Sequence, residues 1–159
     1  MGTQAKTNAC RMLDKLGITY TLHEYEWDED QLDAGTVAGK VGIGIGSMYK
    51  TLVLRGDKTG VLLACIPGDK ELHLKALASV SGNKKVDMAP VKELQALTGY
   101  IRGGVSPLGM KKNYPLYLER AALATEPVSI SAGRRGLQIF LSGKDLAAAA
   151  DAIPADITH

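Results

Sequence analysis

Apolar residues near the N-terminus change from helical spacing to alternation. In residues 4–16 they recur every three or four positions, which predicts an amphipathic helix that Thr3 caps and Gly17 ends. In residues 18–25 apolar and polar side chains alternate, which is typical of a strand. An acidic loop follows, and a short second helix is predicted at residues 36–41.

The rest of the chain combines short strands with helices. Apolar runs at residues 48–55 and 61–66 flank a turn-forming segment, which predicts a β-hairpin. Further strands are predicted at residues 85–88, 116–118, 128–131 and 137–141, and helices at residues 72–79, 90–97 and 144–153. Because helices and strands do not alternate regularly, we expect an α+β (mixed α/β) fold with one domain over residues 1–159.

Composition narrows the class of protein. The 159 residues are 45% hydrophobic and 23% charged, as in a soluble globular domain, and no apolar run is long enough to span a membrane. No signal peptide is visible, so we expect a cytoplasmic protein that binds no membrane. Aromatic residues are scarce, with one Trp, one Phe and six Tyr, which argues against a stacking platform of several exposed rings. The net charge is +2, with basic doublets at Lys84-Lys85, Lys111-Lys112 and Arg134-Arg135 that favour an anionic partner other than DNA.

The sequence contains none of the common catalytic or metal-binding motifs considered next. Three His and two Cys show no metal-ligand spacing, and no G-x-S-x-G motif is present, so we expect neither a metal nor a cofactor. Cys10 and Cys65 both lie among apolar neighbours, which favours burial over a role as nucleophile.

Lys50 lies inside a predicted apolar strand. The preceding residues approach a phosphate-binding P-loop, but Tyr49 occupies the place where that motif needs glycine, and the lysine does not begin a helix. Two interpretations remain open. Lys50 is either an edge-strand lysine with its head in solvent, or a cation in a pocket that holds a carboxylate, a phosphate or a developing oxyanion.

The segment Gly103-Gly104-Val105-Ser106-Pro107-Leu108-Gly109 is rich in glycine. Glycines let a ligand approach the backbone and leave N–H groups free to bind it, although the same composition also suits a tight connection. Residues 131–136 present the same two alternatives.

These segments together resemble the YbaK/EbsC family of trans-editing aminoacyl-tRNA deacylases, which is related to the editing domain of bacterial prolyl-tRNA synthetases. The resemblance covers nearly the whole chain. Its landmarks are His23-Glu24-Tyr25, Tyr49-Lys50-Thr51-Leu52, Lys84-Lys85-Val86-Asp87-Met88-Ala89, Thr98-Gly99-Tyr100, the loop at residues 103–109 followed by Lys111-Lys112, and Ser131-Ala132-Gly133-Arg134-Arg135-Gly136-Leu137.

The resemblance implies a barrel-like mixed sheet of short strands surrounded by helices, and removal of cysteine from mis-charged proline tRNA. Mis-charged aminoacyl-tRNA is then the substrate, and prolyl-tRNA synthetase a further partner. With no protein nucleophile, the thiol of the cysteinyl group attacks its own ester. The residues assigned to catalysis are Lys50, Gly103 and Gly104, and those assigned to substrate binding are Tyr25, Tyr49, Thr51, Ser106 and Ser131.

Two positions depart from the family pattern. An aromatic position of the family falls at Leu32 or Asp33, and an aspartate of some members is Gln138 here. Three alternatives therefore stay open: a non-catalytic module that binds aminoacyl-tRNA or a synthetase, a deacylase for another small amino acid such as alanine, and a hydrolase of small esters.

Overall fold

A computed structural model describes residues 6–159 of the chain. The α-helices are α1 (Asn8–Leu16), α2 (Ala34–Val41), α3 (Leu74–Ser81), α4 (Leu94–Thr98) and α5 (Gly143–Ala149). The strands are β1 (Thr21–Glu24), β2 (Tyr49–Gly56), β3 (Gly60–Pro67), β4 (Val86–Met88), β5 (Leu116–Glu119), β6 (Val128–Ser131), β7 (Leu137–Leu141) and β8 (Ile153–Ala155). Short 3-10 helices span Ile45–Ser47, Val91–Glu93 and Arg120–Ala124.

The strands form two sheets. The larger has the order β4-β2-β3-β5-β8, in which β3, β5 and β8 run parallel and the hairpin β2–β3 is antiparallel. The smaller has the order β1-β7-β6 and is antiparallel. A single parallel bridge between Met48 and Ser129 connects the two. The expected α+β class is confirmed, and its short strands form two bridged sheets.

The apolar core is divided by the larger sheet. One face packs with the smaller sheet, α1 and α5, and its buried residues include Leu13, Val53 and Ile139. The other face packs with α3 through residues such as Leu54 and Leu77. Because side chains of a strand alternate between faces, the neighbours Val53 and Leu54 enter different parts of the core. No helix within residues 6–159 combines the length and apolar character needed to cross a membrane.

Both terminal helices differ from their predicted extents. The first begins at Asn8, where the Thr7 hydroxyl accepts a hydrogen bond from the Cys10 N–H. The predicted start at residues 4–5 and the cap at Thr3 lie outside the described residues. The last helix ends at Ala149, and the prediction that it extends to residue 153 is wrong. Asp151 adopts a positive φ of 49°, and the chain then enters β8 beside β5.

Three other elements also have different boundaries. The first strand is confined to Thr21–Glu24, where β7 supplies partners, and the prediction that it begins at residue 18 is wrong. The helix predicted at residues 72–79 is α3, shifted because the His73 ring accepts the capping bond from the Ala76 N–H. Pro90 has an extended ψ of 142° and precedes a 3-10 turn, which α4 then follows. The continuous helix predicted at residues 90–97 is therefore divided.

Two glycines provide a matched test of this packing. A Cβ at Gly143 would lie 1.6 Å from the Ala122 carbonyl oxygen, whereas a Cβ at Gly39, inside α2, would meet nothing within 4 Å. We expect Gly143→Ala to lower the free energy of unfolding by at least about 2 kcal/mol through overpacking. Gly39→Ala should raise it by about 0.5–1 kcal/mol because alanine loses less entropy in a helix. Urea denaturation measures both, and equal effects of the two variants would contradict the described packing of α5.

Candidate active site

A cavity of about 560 Å³ lies where β2, the loop around Gly103, the start of α2 and the paired strands β6 and β7 meet. Its volume is in the range of small-molecule binding sites. Six of the eight residues predicted for the site lie in its wall: Tyr25, Tyr49, Lys50, Thr51, Gly103 and Ser131. The structure thus brings together segments that are far apart in sequence. Gly104 and Ser106 are not in the wall.

Lys50 lies half-buried in this wall. Its Nζ is 3.4 Å from the carbonyl oxygen of Gly68, to which it donates a hydrogen bond. A Cβ at Gly68 would lie 2.6 Å from the Ala34 side chain, so only glycine fits at that point of the wall. None of the ion pairs found within residues 6–159 involves Lys50. The pocket interpretation of this lysine therefore agrees with the structure, and its positive charge is available to a ligand.

The glycine loop contributes Gly103 and Val105 to the cavity wall. Gly103 has a φ of 84°, a conformation that favours glycine, and a Cβ there would lie only 3.1 Å from the Leu32 side chain. No hydrogen bond described for residues 6–159 uses the Gly103 N–H. The Gly104 N–H instead donates to the Ile101 carbonyl oxygen at 2.9 Å. The expectation that Gly104 also donates to the substrate is therefore corrected.

Ser106 does not reach the cavity. Its side chain is completely buried, and its Oγ accepts a hydrogen bond from the Leu108 N–H at 3.3 Å. The serine stabilises the turn through Pro107, a common use of hydroxyl side chains in loops. The expected contact between Ser106 and the substrate is corrected to this structural role.

Polar groups from the smaller sheet form one side of the cavity. The Ser131 Oγ accepts from the Gly133 N–H at 3.1 Å, which leaves its own O–H as a donor. Gln138 is paired with Ser131 across β6 and β7, and its Oε1 accepts from the Ser129 hydroxyl at 2.8 Å. Tyr25 is fixed by a bond from its N–H to the Gly136 carbonyl oxygen. The cavity wall therefore offers a ligand neutral hydrogen-bonding groups in addition to the Lys50 cation.

Tyr49 and Thr51 support the cavity from β2. Burial raises the pKa of the Tyr49 phenol to about 12, so it stays protonated at neutral pH. The Thr51 hydroxyl is directed towards the Cys65 Sγ, 3.8 Å away. Both residues therefore shape the wall and do not act as bases.

The described wall contains no activated nucleophile or general base. Asp33 is the one carboxylate among its lining residues, and hydrogen bonds from the Thr36 N–H and hydroxyl lower its pKa while it caps α2. Cys65 lies behind the wall, and complete burial raises the pKa of its thiol to about 12. No group of His, Cys, Asp and Glu within residues 6–159 has the arrangement of a metal site. The cavity can therefore position and polarise a ligand.

Sequence reasoning missed the apolar side of the cavity. Met88 and Val91 line it although they are about half exposed, and Leu94 continues the same side. Arg102 and Gly68 are further lining residues that were not singled out. An exposed methionine at the end of a short strand and a valine just after it give no signal of their own in a sequence, because their place in the cavity wall depends on the pairing of β4 with β2.

Comparisons with known proteins identify the class to which this fold and site belong. The family model of the aminoacyl-tRNA editing domain matches residues 28–149, so the chain belongs to the aminoacyl-tRNA editing domain family. The expected family is confirmed.

Individual relatives agree with this assignment. A protein of Enterococcus faecalis, EbsC, described as a candidate Cys-tRNA(Pro)/Cys-tRNA(Cys) deacylase, is 49% identical over 98% of this chain and 95% of its own. A crystal structure described as a candidate trans-editing enzyme for prolyl-tRNA synthetase superposes with a TM-score of 0.81 and 26% identity, over 98% of this chain and 99% of that one. A proline–tRNA ligase of Thermosipho africanus is 32% identical over 48% of this chain and 13% of the ligase.

The state of Cys65 can be tested directly. Because burial raises the pKa of its thiol, the group should remain protonated and unreactive at pH 8 in the native protein. We expect iodoacetamide to leave Cys65 unmodified until the protein is denatured, as measured by mass spectrometry of digested protein. Cys65→Ala should retain deacylation activity. Rapid alkylation of the native protein, coupled to loss of activity, would instead identify Cys65 as a nucleophile.

Proposed function

We propose that this chain hydrolyses the ester of Cys-tRNA(Pro) by using the thiol of the bound cysteinyl group as the nucleophile. One observation carries the proposal: the cavity presents a cation and a backbone N–H, but no activated nucleophile or base, within the described residues. A substrate that contains its own nucleophile needs only positioning and charge stabilisation. The similarity to EbsC, whose description names cysteinyl-tRNA substrates, supports the same choice.

In the proposed reaction the nucleophile, the ester and the leaving group all belong to the substrate. The cysteinyl thiolate attacks the carbonyl carbon of its own ester, and the electron pair of the carbonyl double bond moves to the oxygen. The C–O bond to the terminal ribose then breaks, the ribose oxygen takes a proton, and a four-membered thiolactone leaves. Water opens the thiolactone to give free cysteine. A thiol with a pKa of about 8.5 provides some thiolate at neutral pH without a protein base.

Lys50 and Gly103 would stabilise the negative charge of this reaction. Among the described residues 6–159, the Lys50 ammonium group in the wall forms no ion pair and the N–H of Gly103, another wall residue, donates no hydrogen bond. A single well-placed donor to an oxyanion is worth about 3–4 kcal/mol, and positioning of the reacting atoms contributes up to about 7–11 kcal/mol. These effects together make a protein nucleophile unnecessary.

The cavity is larger than a cysteinyl group requires. Its volume of about 560 Å³ leaves space for the terminal nucleoside as well, with the apolar residues Met88, Val91 and Leu94 on one side. The polar groups of Ser131 and Gln138 would then contact the amino acid, because they lie on the opposite sheet. We therefore assign the cavity to the aminoacylated end of tRNA.

Prolyl-tRNA synthetase is the partner that this function implies. With a net charge of +2 the chain has few cations to hold a polyanion such as tRNA, so its own affinity for tRNA should be modest and dependent on salt. A synthetase that releases mis-charged tRNA beside the editing protein would compensate for that weakness. The similarity to part of a proline–tRNA ligase supports this association.

Replacement of Lys50 tests the assigned role of its charge. We expect Lys50→Ala to lower kcat/KM for Cys-tRNA(Pro) by about 100- to 1000-fold, the usual effect of losing one oxyanion donor. Lys75→Ala is the matched control, because Lys75 is an exposed lysine of α3 outside the cavity wall, and it should behave as wild type. Release of labelled cysteine from charged tRNA in excess gives the rates. Full activity of Lys50→Ala would remove Lys50 from the mechanism. Binding of charged tRNA by the wild type without release of cysteine would indicate a non-catalytic module.

The aminoacyl group itself provides an independent test of the nucleophile. The thiolate fraction rises about tenfold per pH unit below the thiol pKa, so log kcat/KM for Cys-tRNA(Pro) should rise with a slope near 1 and flatten above about pH 8.5. Ser-tRNA(Pro) and Ala-tRNA(Pro) should be hydrolysed much more slowly, because neither contains a thiol. Hydrolysis of Ala-tRNA(Pro) at the rate of Cys-tRNA(Pro) would rule out attack by the substrate thiol.

A further inference from the structure

We infer that Trp27 and Arg135 form a binding surface for a nucleobase of the single-stranded 3′ end of tRNA, beside the mouth of the cavity. We call these two residues the Trp27–Arg135 pair. The inference rests on the proposed function, because it gives a place to the nucleotides that carry the aminoacyl ester.

The pair is held in a fixed arrangement at the surface. The Arg135 guanidinium carbon lies 5.2 Å from the centre of the Trp27 indole ring, and Arg135 Nε donates to the Arg102 carbonyl oxygen at 2.8 Å. Gly136 has a φ of 87°, and a Cβ there would lie 2.9 Å from the indole Cδ1, so glycine permits the close contact between this turn and the ring. Trp27 is nevertheless 48% exposed, so a large part of its aromatic surface remains open to a ligand besides Arg135.

This surface is continuous with the cavity wall. The Arg135 Nε lies 3.4 Å from the position that a Cβ would occupy at Gly103, and Gly103 and Arg102 both line the cavity. On the other side, Tyr25 lines the cavity two residues before Trp27. A ligand whose acyl group reaches Lys50 therefore leaves the cavity past the Trp27–Arg135 pair.

The surrounding charges suit a nucleotide in one orientation. Arg102 and Arg134 are exposed beside Arg135, so this side attracts phosphate. The acidic loop that contains Trp27 carries exposed carboxylates at Glu26, Asp28, Glu29 and Asp30, which repel phosphate. A nucleotide that stacks its base on the indole would therefore turn its phosphate towards the arginines. The scarcity of aromatic residues agrees with a site for one base and not for a long single strand.

Trp27 makes the test direct because it is the one tryptophan of the sequence. We expect the trinucleotide CCA to quench the tryptophan fluorescence of the wild-type protein in a saturable manner. Arg135→Ala should weaken that binding about tenfold, since stacking and cation contacts contribute at this level. Arg120→Ala is the matched control, because it removes the same charge at a residue outside the cavity wall. Arg120 pairs there with Asp156 at 3.4 Å. Its quenching curve should match that of the wild type.

Kinetics on charged tRNA distinguish binding from structural damage. Trp27→Leu should raise KM for Cys-tRNA(Pro) about tenfold and leave kcat unchanged. Its circular dichroism spectrum should match that of the wild type. Quenching by inorganic tripolyphosphate that equals quenching by CCA would overturn the inference, because no base would then be required. The inference would also be overturned if CCA does not quench the fluorescence and Trp27→Leu has a normal KM. That outcome would leave the Lys50 result, and therefore the proposed function, intact.

Discussion

The antiparallel pairing of β2 with β3 is the interaction on which the site depends. Every residue of β2 from Tyr49 to Gly56 has a partner on β3, so the register of the whole strand is fixed. A slip of one residue would exchange Lys50 with a core residue, since side chains alternate across a strand. The burial of Val53 and Leu54 on opposite faces makes such a slip costly in either direction. The position of the Lys50 charge is therefore a consequence of core packing.

The site also depends on the Met48–Ser129 bridge, since this bridge brings the smaller sheet to β2. Polar groups from β6 and β7 then face a cation from the larger sheet, and the loop at Gly103 closes the space between them. In the proposed function this site contributes geometry and electrostatics while the substrate contributes the reactive group. That proposal agrees with a described wall in which the carboxylate of Asp33 caps a helix and burial keeps the phenol of Tyr49 protonated.

Much of this arrangement could be predicted from the sequence. The hairpin and the strands β6 and β7 are strongly patterned, and their observed bounds agree with the predicted ones to within two residues. The end of α5 was missed because the alanine-rich segment has helical propensity throughout, while a left-handed Asp151 and pairing with β5 override it. Gly104 and Ser106 were assigned to the substrate because a loop composition does not reveal which N–H groups its own carbonyls already use. The apolar side of the cavity was missed because it depends on contacts between distant strands.

The long sequence separation of the Met48–Ser129 bridge has a consequence for synthesis on the ribosome. The hairpin can form as soon as it emerges, but β6 and β7 follow much later in the chain, so the cavity is completed only after Leu141 has emerged. Shorter nascent chains would contain Lys50 without the wall that β6 and β7 supply. An enzyme that breaks aminoacyl-tRNA esters would thus stay inactive until these strands have joined the hairpin.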